Sequence, residues 1–572
     1  MKLIITFLTL CLLQWTSSFL SAKGLIYKTA NNIGGISNDF GYCIAVDQSK
    51  NKYYAGTVNN DSVDFDFSTS VFKLKSGYVD LFIAKYDSYT NLKWVKLIGG
   101  TGMDLLSNII LDHNDGVIVC GSFRNTVDFD PGPDSLKLTS MGDWDGFILK
   151  LDTNGNFKWA KQFSGLDQLR MQDMEIDVNN NIIAVGDFLG QVDLDPGAGI
   201  SLFTNFSTYV DAFVVKLDSS GNFVWAQQYG NNAIDICTAI VVDSTNYITL
   251  GGIFSGNVDF DFSTSGNYNL IADYIDCFVL KLTPSGQFVW VKKFGGSEND
   301  YIEDILITSN GDYGIVGSFG SNTDFDPDSS QYILNGGLYR DGYILMLNDT
   351  GSFIQVAQLK NDFGASIDRI QMDANGGYIL CGDNNGWTDF DPDTSSFVKY
   401  GSGSPHSAFI WFLTSSLKLD TAILFASTGD FDFYDMQIKE DLLYLAGTFE
   451  GTCDFNVNSG FASLTTPSTT DNDAFFVEYK RDYSTNSSTA VQYTKYESQV
   501  KVYPNPSTNE IHIDNLSNYP IQGVIIYSMI GTVVKFELGD VKSISLIDLL
   551  PGLYTVQIKT NNATSNICIN KN

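Results

Sequence analysis

Closely spaced aspartates are the side chains of this sequence best suited to chemistry. They alternate along short Asp-Phe-Asp-Pro segments, and alternate carboxylates on a turn can supply three of the six to eight oxygens that calcium takes. The segments lack the glycine and the closing glutamate of a standard calcium loop. An Asp in a turn can instead cap the backbone N–H groups beside it, and both interpretations stay open. The candidate calcium ligands are Asp324, Asp326, Asp328, Asp389, Asp391, Asp393, Asp128, Asp130 and Asp134.

These segments recur along most of the chain with a constant period. Successive segments begin 64 to 66 residues apart, and a glycine that ends an apolar run recurs at steps of 65 or 66 residues. Because two independent markers agree, the sequence predicts seven repeats. The segments begin at Asp64, Asp128, Asp193, Asp259, Asp324, Asp389 and Asp454. The marker glycines are Gly56, Gly121, Gly186, Gly252, Gly317, Gly382 and Gly447.

Each repeat contains four short runs typical of β-strands. Four antiparallel strands per unit, without helical periodicity, predict a β-propeller blade. Leu25–Thr29 matches a fourth strand, and the seventh repeat has none of its own, so the N-terminal strand can complete the last blade. The sequence therefore predicts an all-β chain with a seven-bladed β-propeller over residues 23–480. In the second repeat the four runs are Asn108–Asp112, Gly116–Phe123, Asp145–Leu151 and Phe157–Phe163.

A second acidic set lies in the loops that enter the strand nearest the propeller axis. These carboxylates are predicted to ring one mouth of the channel and to attract a cation or a cationic or hydroxyl-rich ligand. Alternatively, each makes a local hydrogen bond within its own blade. In Gly- and Asp-rich loops, Trp144 and Trp387 are candidates for stacking on a ligand. The acidic set comprises Asp39, Asp104, Asp235, Asp300 and Asp430.

Composition excludes several classes of function. The 572-residue chain carries 66 Asp and Glu against 34 Lys and Arg, a formal net charge of −32, so no nucleic-acid partner is expected. It has three His and no motif of the GxSxG or HExxH type, which leaves no sequence support for triad or zinc catalysis. No run beyond the N-terminus approaches the length of a membrane-spanning helix, so no transmembrane segment is expected in the mature chain.

The two ends of the chain differ from the repeats. Residues 1–22 have a basic start, an apolar run and a small-residue end, which is typical of a secretory signal peptide. Residues 481–498 are rich in Ser, Thr, Asn and Tyr and are predicted to form a linker. Residues 499–572 contain short β-rich runs between turns, which predict a small Ig-like β-sandwich.

Two segments resemble known families. The run DAFVVKLDSSGNFVWAQQYG at Asp211–Gly230 resembles the repeats of secreted bacterial β-propellers of the SBBP type, which share a shape and no common chemistry. The runs VYPNP at Val502–Pro506, IIYSMIG at Ile525–Gly531 and LPGLYTVQI at Leu550–Ile558 resemble a type A sorting domain of the type IX secretion system. The residues that carry this second resemblance are Tyr503, Pro504, Asn505, Pro506, Gly531, Gly552 and Tyr554.

The second resemblance implies export by the type IX secretion machinery of a Gram-negative bacterium. The mature chain would then be secreted or held at the outer cell surface after removal of the signal peptide. Regular repeats without one distinct catalytic constellation favour a binding, adhesion or scaffold module, with a glycan or a surface protein as partner. A carbohydrate-active enzyme, a glycoside hydrolase or lyase, is the alternative, because two carboxylates suffice for glycoside hydrolysis. No catalytic residue is predicted, and calcium is the one cofactor considered.

Overall fold

The computed structural model describes residues 24–571 except for short gaps. The gaps are 60–61, 206, 262–265, 329, 338, 394–395, 401–406, 426, 458–461, 469–470, 484–499, 505–506, 516–520, 529–532, 539–540 and 561–563. In the described residues every regular element is a β-strand, which confirms the predicted all-β class. The chain divides into two compact units, Met1–Thr485 and Asn486–Asn572. The predicted signal peptide and residues 484–498 of the predicted linker lie outside the described residues.

In the described residues of the first unit, seven sets of four antiparallel strands are arranged along the chain, and we number these sets sheets 1 to 7. Three of them continue into six-stranded sheets through an adjoining hairpin. Sheet 1 contains Phe40–Val46, Lys52–Asn59, Val79–Tyr86 and Leu92–Gly100. Sheet 2 contains Asp104–Leu111, Val117–Phe123, Asp145–Leu151 and Phe157–Gly165. Sheet 3 contains Gln168–Ile176, Ile182–Leu189, Asp211–Leu217 and Phe223–Tyr229. Sheet 4 contains Ile236–Val242, Ile248–Asp259, Asn269–Leu282 and Phe288–Phe294. Sheet 5 contains Tyr301–Ile307, Tyr313–Phe319, Asp341–Leu347 and Phe353–Asn361. Sheet 6 contains Ala365–Met372, Tyr378–Asn384, Ser407–Leu413 and Leu419–Leu424. Sheet 7 contains Phe431–Lys439, Leu442–Glu450, Asn472–Arg481 and the N-terminal strand Leu25–Ile33.

Short hairpins follow the second strand of most sheets and carry the Asp-Phe-Asp segments. Three of them also pair with the outer strand of the preceding sheet, as where Val127 lies opposite Gly100. In sheet 4 the hairpin is continuous with the two central strands, which are therefore longer. The hairpin strands are Ser62–Asp64 with Lys73–Lys75, Thr126–Asp128 with Lys137–Thr139, Gln191–Asp193 with Leu202–Thr204, Thr323–Asp324 with Ile333–Leu334, Trp387–Asp389 with Val398–Tyr400, and Thr452–Asp454 with Ser463–Thr465.

The apolar core of this unit lies between neighbouring sheets. One cluster of buried aliphatic and aromatic side chains occupies each boundary from sheets 1 and 2 to sheets 6 and 7. A further cluster joins sheet 7 to sheet 1, where the ring centroids of Tyr54 and Phe476 are 3.9 Å apart. The first strands contact one another in the same order, and that of sheet 7 contacts that of sheet 1.

The marker glycines have a steric role at the first strand of every sheet. Each first strand contains a β-bulge, opposite which the second strand passes very closely. A Cβ atom on any marker glycine would lie 1.9 to 2.1 Å from a carbonyl oxygen of the first strand, so no larger residue fits there. A bulge leaves one residue unpaired and re-aims the side chains around it. The unpaired residues are Tyr42, Ser107, Gln172, Thr238, Glu303, Asp368 and Tyr434.

The second unit contains two small antiparallel sheets around one apolar core. Tyr503 is 45% exposed, whereas Tyr554 is buried and its hydroxyl donates to Leu550 O at 2.8 Å. Asn505, Pro506 and Gly531 lie outside the described residues. One sheet contains Val500–Tyr503, Glu510–Asn515 and Ser543–Ser545, and the other contains Ile521–Ser528, Val533–Leu538, Gly552–Thr560 and Thr564–Lys571.

Candidate functional site

The aspartates of the Asp-Phe-Asp segments cap their own turns. Asp324 Oδ1 accepts hydrogen bonds from the N–H groups of Asp326, at 3.2 Å, and Tyr332, at 2.8 Å. Oδ1 of the first aspartate accepts an equivalent pair in each of the other six repeats. The residue between the acids is buried in every copy, as Phe325 is here.

The outer acids of these turns have separate local contacts. Asp326 and Asp391 each accept the N–H two residues on, and Asp328 forms an ion pair of 2.6 Å with Lys292. Asp130 accepts the Gly132 N–H, while Asp134 is exposed. In the described part of the chain, no three or more His, Cys, Asp or Glu side chains form a group that could hold a metal ion. Calcium binding at these turns stays a prediction.

The second acidic set lies inside the boundaries between sheets. Asp39, Asp104, Asp235 and Asp300 are at most 1% exposed, and Asp430 is half-buried. Their backbone explains the placement, because the N–H of Asp235 donates to Val210 O of the preceding sheet and thereby draws the residue inward. Asp39, Asp235 and Asp300 accept hydrogen bonds from backbone N–H groups near the ends of the second strands, such as Gly320 N–H at 3.0 Å from Asp300.

The two candidate tryptophans have different environments. Trp144 is 6% exposed, and the guanidinium carbon of Arg124 lies 4.2 Å from its ring centroid, so a cation of the same chain covers the ring. Trp387 is 48% exposed on the hairpin of sheet 6. The exposed ring of Phe363 packs over Gly386, the residue before Trp387, and its centroid lies 6.2 Å from that of Tyr339.

Side chains at the bulges of the first strands line a common cavity. A narrow cavity of about 280 Å³ is lined by the residues that follow the bulges, and it is bounded by first strands from all seven sheets. Within it, Asp173, Asp304 and Asp435 come from sheets 3, 5 and 7, and Arg369 comes from sheet 6. We call these four residues the axial layer.

Each axial aspartate ties its own sheet to the next sheet. Asp173 Oδ2 accepts the N–H of Ile240 at 3.0 Å, and Asp304 Oδ2 accepts that of Ile370 at 3.0 Å. Asp435 Oδ2 accepts the N–H of Ile44 at 2.8 Å, which joins sheet 7 to sheet 1.

The axial layer carries opposing charges in an enclosed space. Burial raises the pKa values of Asp173 and Asp304 to about 7, although the charge of Arg369 opposes the rise. Burial also raises the pKa of Asp435. Burial opposes protonation of Arg369, but the carboxylates of Asp435, Asp304 and Asp173 raise its pKa, so it stays charged. Arg369 Nε lies 3.6 Å from Asp435 Oδ1, and the arginine side chain keeps 32% of its surface exposed.

A wider cavity opens at sheets 4, 5 and 6. Its volume is about 610 Å³, and we call it the mouth pocket. Exposed aromatic rings from Tyr274 and Tyr339 meet Arg340, Asp383 and Asn385 there. The guanidinium carbon of Arg340 lies 4.1 Å from the Tyr301 ring centroid, which fixes this cation on an aromatic face.

Asp383 also lines a second cavity, which contains two acids of the bulges. This cavity of about 360 Å³ includes the bulge residues Glu303 and Asp368. Burial, together with the charges of Asp383 and Glu303, raises the pKa of Asp368 well above its usual range. Burial and Asp383 likewise raise the pKa of Glu303 to about 7, against the effect of Arg369. The repeats with these acids therefore differ chemically from the others, which have Tyr, Ser, Gln or Thr at the bulge.

Sequence reasoning missed the axial layer and the mouth pocket. The axial aspartates are 131 residues apart in the chain, and Glu303 and Asp368 are 65 residues apart, so no local motif indicates them. A comparison of the repeats at one position could have found Glu303 and Asp368, because each unpaired bulge residue precedes its marker glycine by 13 or 14 residues. Of the residues predicted as sites, Asp300 directly follows Asn299 of the mouth pocket, and Trp387 lies two positions after Asn385.

Comparison with known families identifies the C-terminal segment. Residues 501–570 match the model of the secretion system C-terminal sorting domain. The chain carries a type IX sorting domain. This confirms the resemblance drawn from the runs around Tyr503 and Tyr554, and the chain is a secreted protein that the type IX machinery recognises.

Curated relatives match parts of the chain. An uncharacterized WD repeat-containing protein of Acanthamoeba polyphaga mimivirus is 25% identical over 297 residues, which cover 43% of this chain and 21% of that protein. Regulatory protein FlaEY of Caulobacter vibrioides is 25% identical over 179 residues, or 31% of this chain and 18% of that protein. The chain thus spans about a fifth of the length of these relatives.

Several solved structures are similar at low identity. The match to a protein of unknown function from Bacteroides caccae covers 61% of this chain and 91% of that protein, with 10% identity and a TM-score of 0.28. The match to PorZ, a surface component of the type IX secretion system of Porphyromonas gingivalis, covers 95% of this chain and 100% of PorZ, with 10% identity and a TM-score of 0.22. The match to Sqt1 from Chaetomium thermophilum covers 73% of this chain and 97% of Sqt1, with 9% identity and a TM-score of 0.38. At such TM-scores none of these likenesses establishes a shared fold. A search of the described residues finds no helix long and apolar enough to cross a membrane.

Proposed function

We propose that this secreted protein is a surface binding module whose seven sheets are the blades of a closed propeller. The apolar cluster between sheets 7 and 1 supports closure, as does the bond from Ile44 N–H to Asp435. The N-terminal strand Leu25–Ile33 serves as the outer strand of sheet 7, so the first and last segments of the propeller stabilise each other. In this proposal the signal peptide is removed and the propeller is displayed at, or released from, the outer cell surface.

The mouth pocket is the proposed binding site, and its ligand is a glycan. The observation that carries this proposal is a cavity of about 610 Å³ that combines exposed aromatic rings with carboxylate and amide groups. Flat rings such as Tyr274 and Tyr339 can stack on the apolar faces of sugars, while Asp383 and Asn385 can bond hydroxyl groups. Asn385 Oδ1 is buried and has no hydrogen-bond partner among the described residues, so it is available to a ligand donor.

A glycan-binding screen with the purified full chain tests this proposal. We expect saturable binding that Tyr339→Ala or Asp383→Asn weakens about tenfold, through loss of stacking or of a hydroxyl acceptor. Tyr89→Ala is the matched control, because Tyr89 is 86% exposed in a turn of sheet 1, remote in sequence from the pocket residues. Equal affinities for the control and the pocket variants, at unchanged unfolding midpoints, would remove the mouth pocket from the proposal.

A carbohydrate-active enzyme is the second candidate. The raised pKa of Glu303 near 7, beside Asp368 and Asp383, favours it, because a glycosidase needs a protonated and an ionised carboxyl group together. Incubation with the glycan that binds, followed by assay of new reducing ends or unsaturated products, separates the two functions. Product formation that Glu303→Gln abolishes, with binding retained, would assign the site to an enzyme.

A further inference from the structure

Pairs of buried aspartates whose charges interact lie at three of the sheet boundaries. One member lies near the start of the third strand of a sheet, and the other at or just before the first strand of the next sheet. Between sheets 1 and 2, the parallel bridge from Val79 to Met103 sets the residues that follow, Asp80 and Asp104, beside each other. In each pair the charge of the first aspartate raises the pKa of the second. The pairs are Asp80 with Asp104, Asp211 with Asp235, and Asp276 with Asp300.

Two of the three pairs are compensated by side chains of the protein. Between sheets 4 and 5, the ammonium of Lys293 forms a short ion pair with Asp276, and the Thr323 hydroxyl donates to Asp300 at 2.9 Å. Between sheets 3 and 4, the Gln228 amide donates to Asp211. Lys293 and Gln228 occupy equivalent positions in their repeats. Each lies on the fourth strand, opposite a phenylalanine of the third strand that stands two positions after the first aspartate of the pair. These phenylalanines are Phe278 and Phe213.

The pair between sheets 1 and 2 lacks this compensation. The equivalent position is Leu97, which lies opposite Phe82 just as Lys293 lies opposite Phe278. Asp80 Oδ2 accepts the Gly77 N–H at 2.7 Å, but its Oδ1 has no hydrogen-bond partner in the described residues.

Asp104 is the more isolated member of this pair. Neither of its oxygens makes a hydrogen bond of good geometry with any described residue, although the N–H groups of Gly100 and Arg124 face it. Asp80 is 8% exposed and Asp104 is fully buried. Burial and the charge of Asp80 raise the pKa of Asp104 to about 8.

A glycine packs closely against this pair, as Gly295 does against Asp276. A Cβ atom on Gly99 would lie 2.1 Å from Asp80 Oδ1, so a side chain there would fill the place next to this oxygen. Once both carboxyl groups are ionised, their three such oxygens carry a charge that no described side chain compensates and that a bound cation would neutralise. The carboxylates supply only part of a coordination shell, and calcium accepts backbone carbonyls and water in the remaining positions of an irregular shell.

We propose that the Asp80–Asp104 pair binds one calcium ion, which does at this boundary what the Lys293 ammonium does between sheets 4 and 5. The site ties the third strand of sheet 1 to the first strand of sheet 2. Calcium bound there favours the folded state, because the unfolded chain does not hold the two carboxylates together.

Thermal unfolding of the full chain at pH 7.5, in calcium or in chelator at fixed ionic strength, tests the site. We expect calcium to raise the midpoint by several degrees, magnesium to raise it less, and calorimetry to give one tight site. Leu97→Lys supplies the missing ammonium, so its midpoint in chelator is expected to rise and its calcium response to vanish. Asp104→Asn is expected to abolish the calcium response even if Leu97→Lys fails to fold.

Two controls separate calcium at this pair from a general effect of added charge and from calcium at the turns. Val224→Lys adds the same charge on an exposed outer strand of sheet 3 and is expected to keep the full calcium response. Asp326→Asn combined with Asp391→Asn is also expected to keep it. An unresponsive wild type, or a calcium response in Asp104→Asn equal to that of the wild type, overturns the proposal. Loss of the response in the turn variant, with a normal response in Leu97→Lys, assigns the calcium to the Asp-Phe-Asp turns instead.

Discussion

The turn aspartates and the axial aspartates accept hydrogen bonds from backbone N–H groups in similar ways but stabilise different contacts. Asp454, in the hairpin of sheet 7, accepts two N–H groups of its own turn. Asp435, in the first strand of the same sheet, accepts one N–H from its own strand and one from Ile44 of sheet 1. The turn residue recurs in all seven repeats, whereas an axial aspartate occurs in sheets 3, 5 and 7.

The turn aspartates therefore stabilise single repeats, whereas the axial aspartates join neighbouring repeats. A turn cap acts within its own hairpin, so its loss weakens one hairpin and water can reach the released N–H groups. An axial aspartate holds two sheets and faces Arg369, so its loss leaves buried donors and an unbalanced charge. The features that depart from the repeat, Glu303, Asp368 and Arg369, also gather beside the mouth pocket, where we propose that the ligand binds.

The largest effect is expected from Asp435→Ala. Its loss leaves the buried N–H groups of Ile44 and Met436 without their acceptor, which costs about 3 kcal/mol of unfolding free energy. Asp454→Ala is the matched control in the same sheet, with an expected cost of about 1 kcal/mol. Chemical denaturation of both variants measures the difference. Equal losses would show that contacts between sheets 7 and 1 contribute no more than a turn cap.

An intermediate effect is expected from pH, through the raised pKa values at the axis. Asp173, Asp304 and Glu303 have folded pKa values of about 7, above the value near 4 of an unfolded acid. The folded state therefore binds more protons between pH 4 and 7, and the stability from these groups is lost as pH rises through that window. Carboxyls with lowered pKa values, such as Asp87, act below about pH 4. The unfolding midpoint is expected to fall from pH 5 to pH 8.

Arg369→Met sharpens this pH test. The variant removes the positive charge that faces Asp173, Asp304 and Asp435, so the axial carboxylates repel one another once they ionise. Its midpoint is expected to lie slightly below that of the wild type at pH 5 and well below it at pH 8. Arg124→Met removes an exposed cation near Trp144 and is expected to shift the midpoint equally at both pH values. A parallel shift in Arg369→Met would contradict an electrostatic role for the axial layer.

Much of the fold could be predicted because its steric requirements repeat. Gly121 recurs as a marker because a Cβ there would lie 2.0 Å from Leu105 O, and every sheet imposes the same close approach. The Asp-Phe-Asp spacing persists for a similar reason, since the acid caps the turn and the buried Phe129 fills the core. A regular period in the sequence thus reflects contacts that each repeat must make.

The site residues could not be predicted by the same means. A bulge interrupts the alternation of inward and outward side chains, so both Glu303 and Asp304 line the narrow cavity. Simple alternation would place one of them on the opposite face. The repeat pattern predicts the acidic set that includes Asp104 at the channel mouth, but its backbone bonds to the preceding sheet carry it into a boundary. Such bonds between sheets depend on the tertiary fold and leave no local pattern.

The smallest effect is expected from Asp328→Asn in the turn of sheet 5. Asp328 forms its ion pair with Lys292 at the surface, where such a pair contributes about 0.5 kcal/mol. The capping bond from Tyr332 N–H to Asp324 is unaffected, so the hairpin keeps its structure. Denaturation in low and high salt measures the change, which should nearly vanish in high salt because salt screens exposed charges. Asp393→Asn is the matched control, since Asp393 occupies the same position in the turn of sheet 6. A loss of several kcal/mol in both variants, restored by calcium, would contradict the local role of these acids and favour metal binding at the turns.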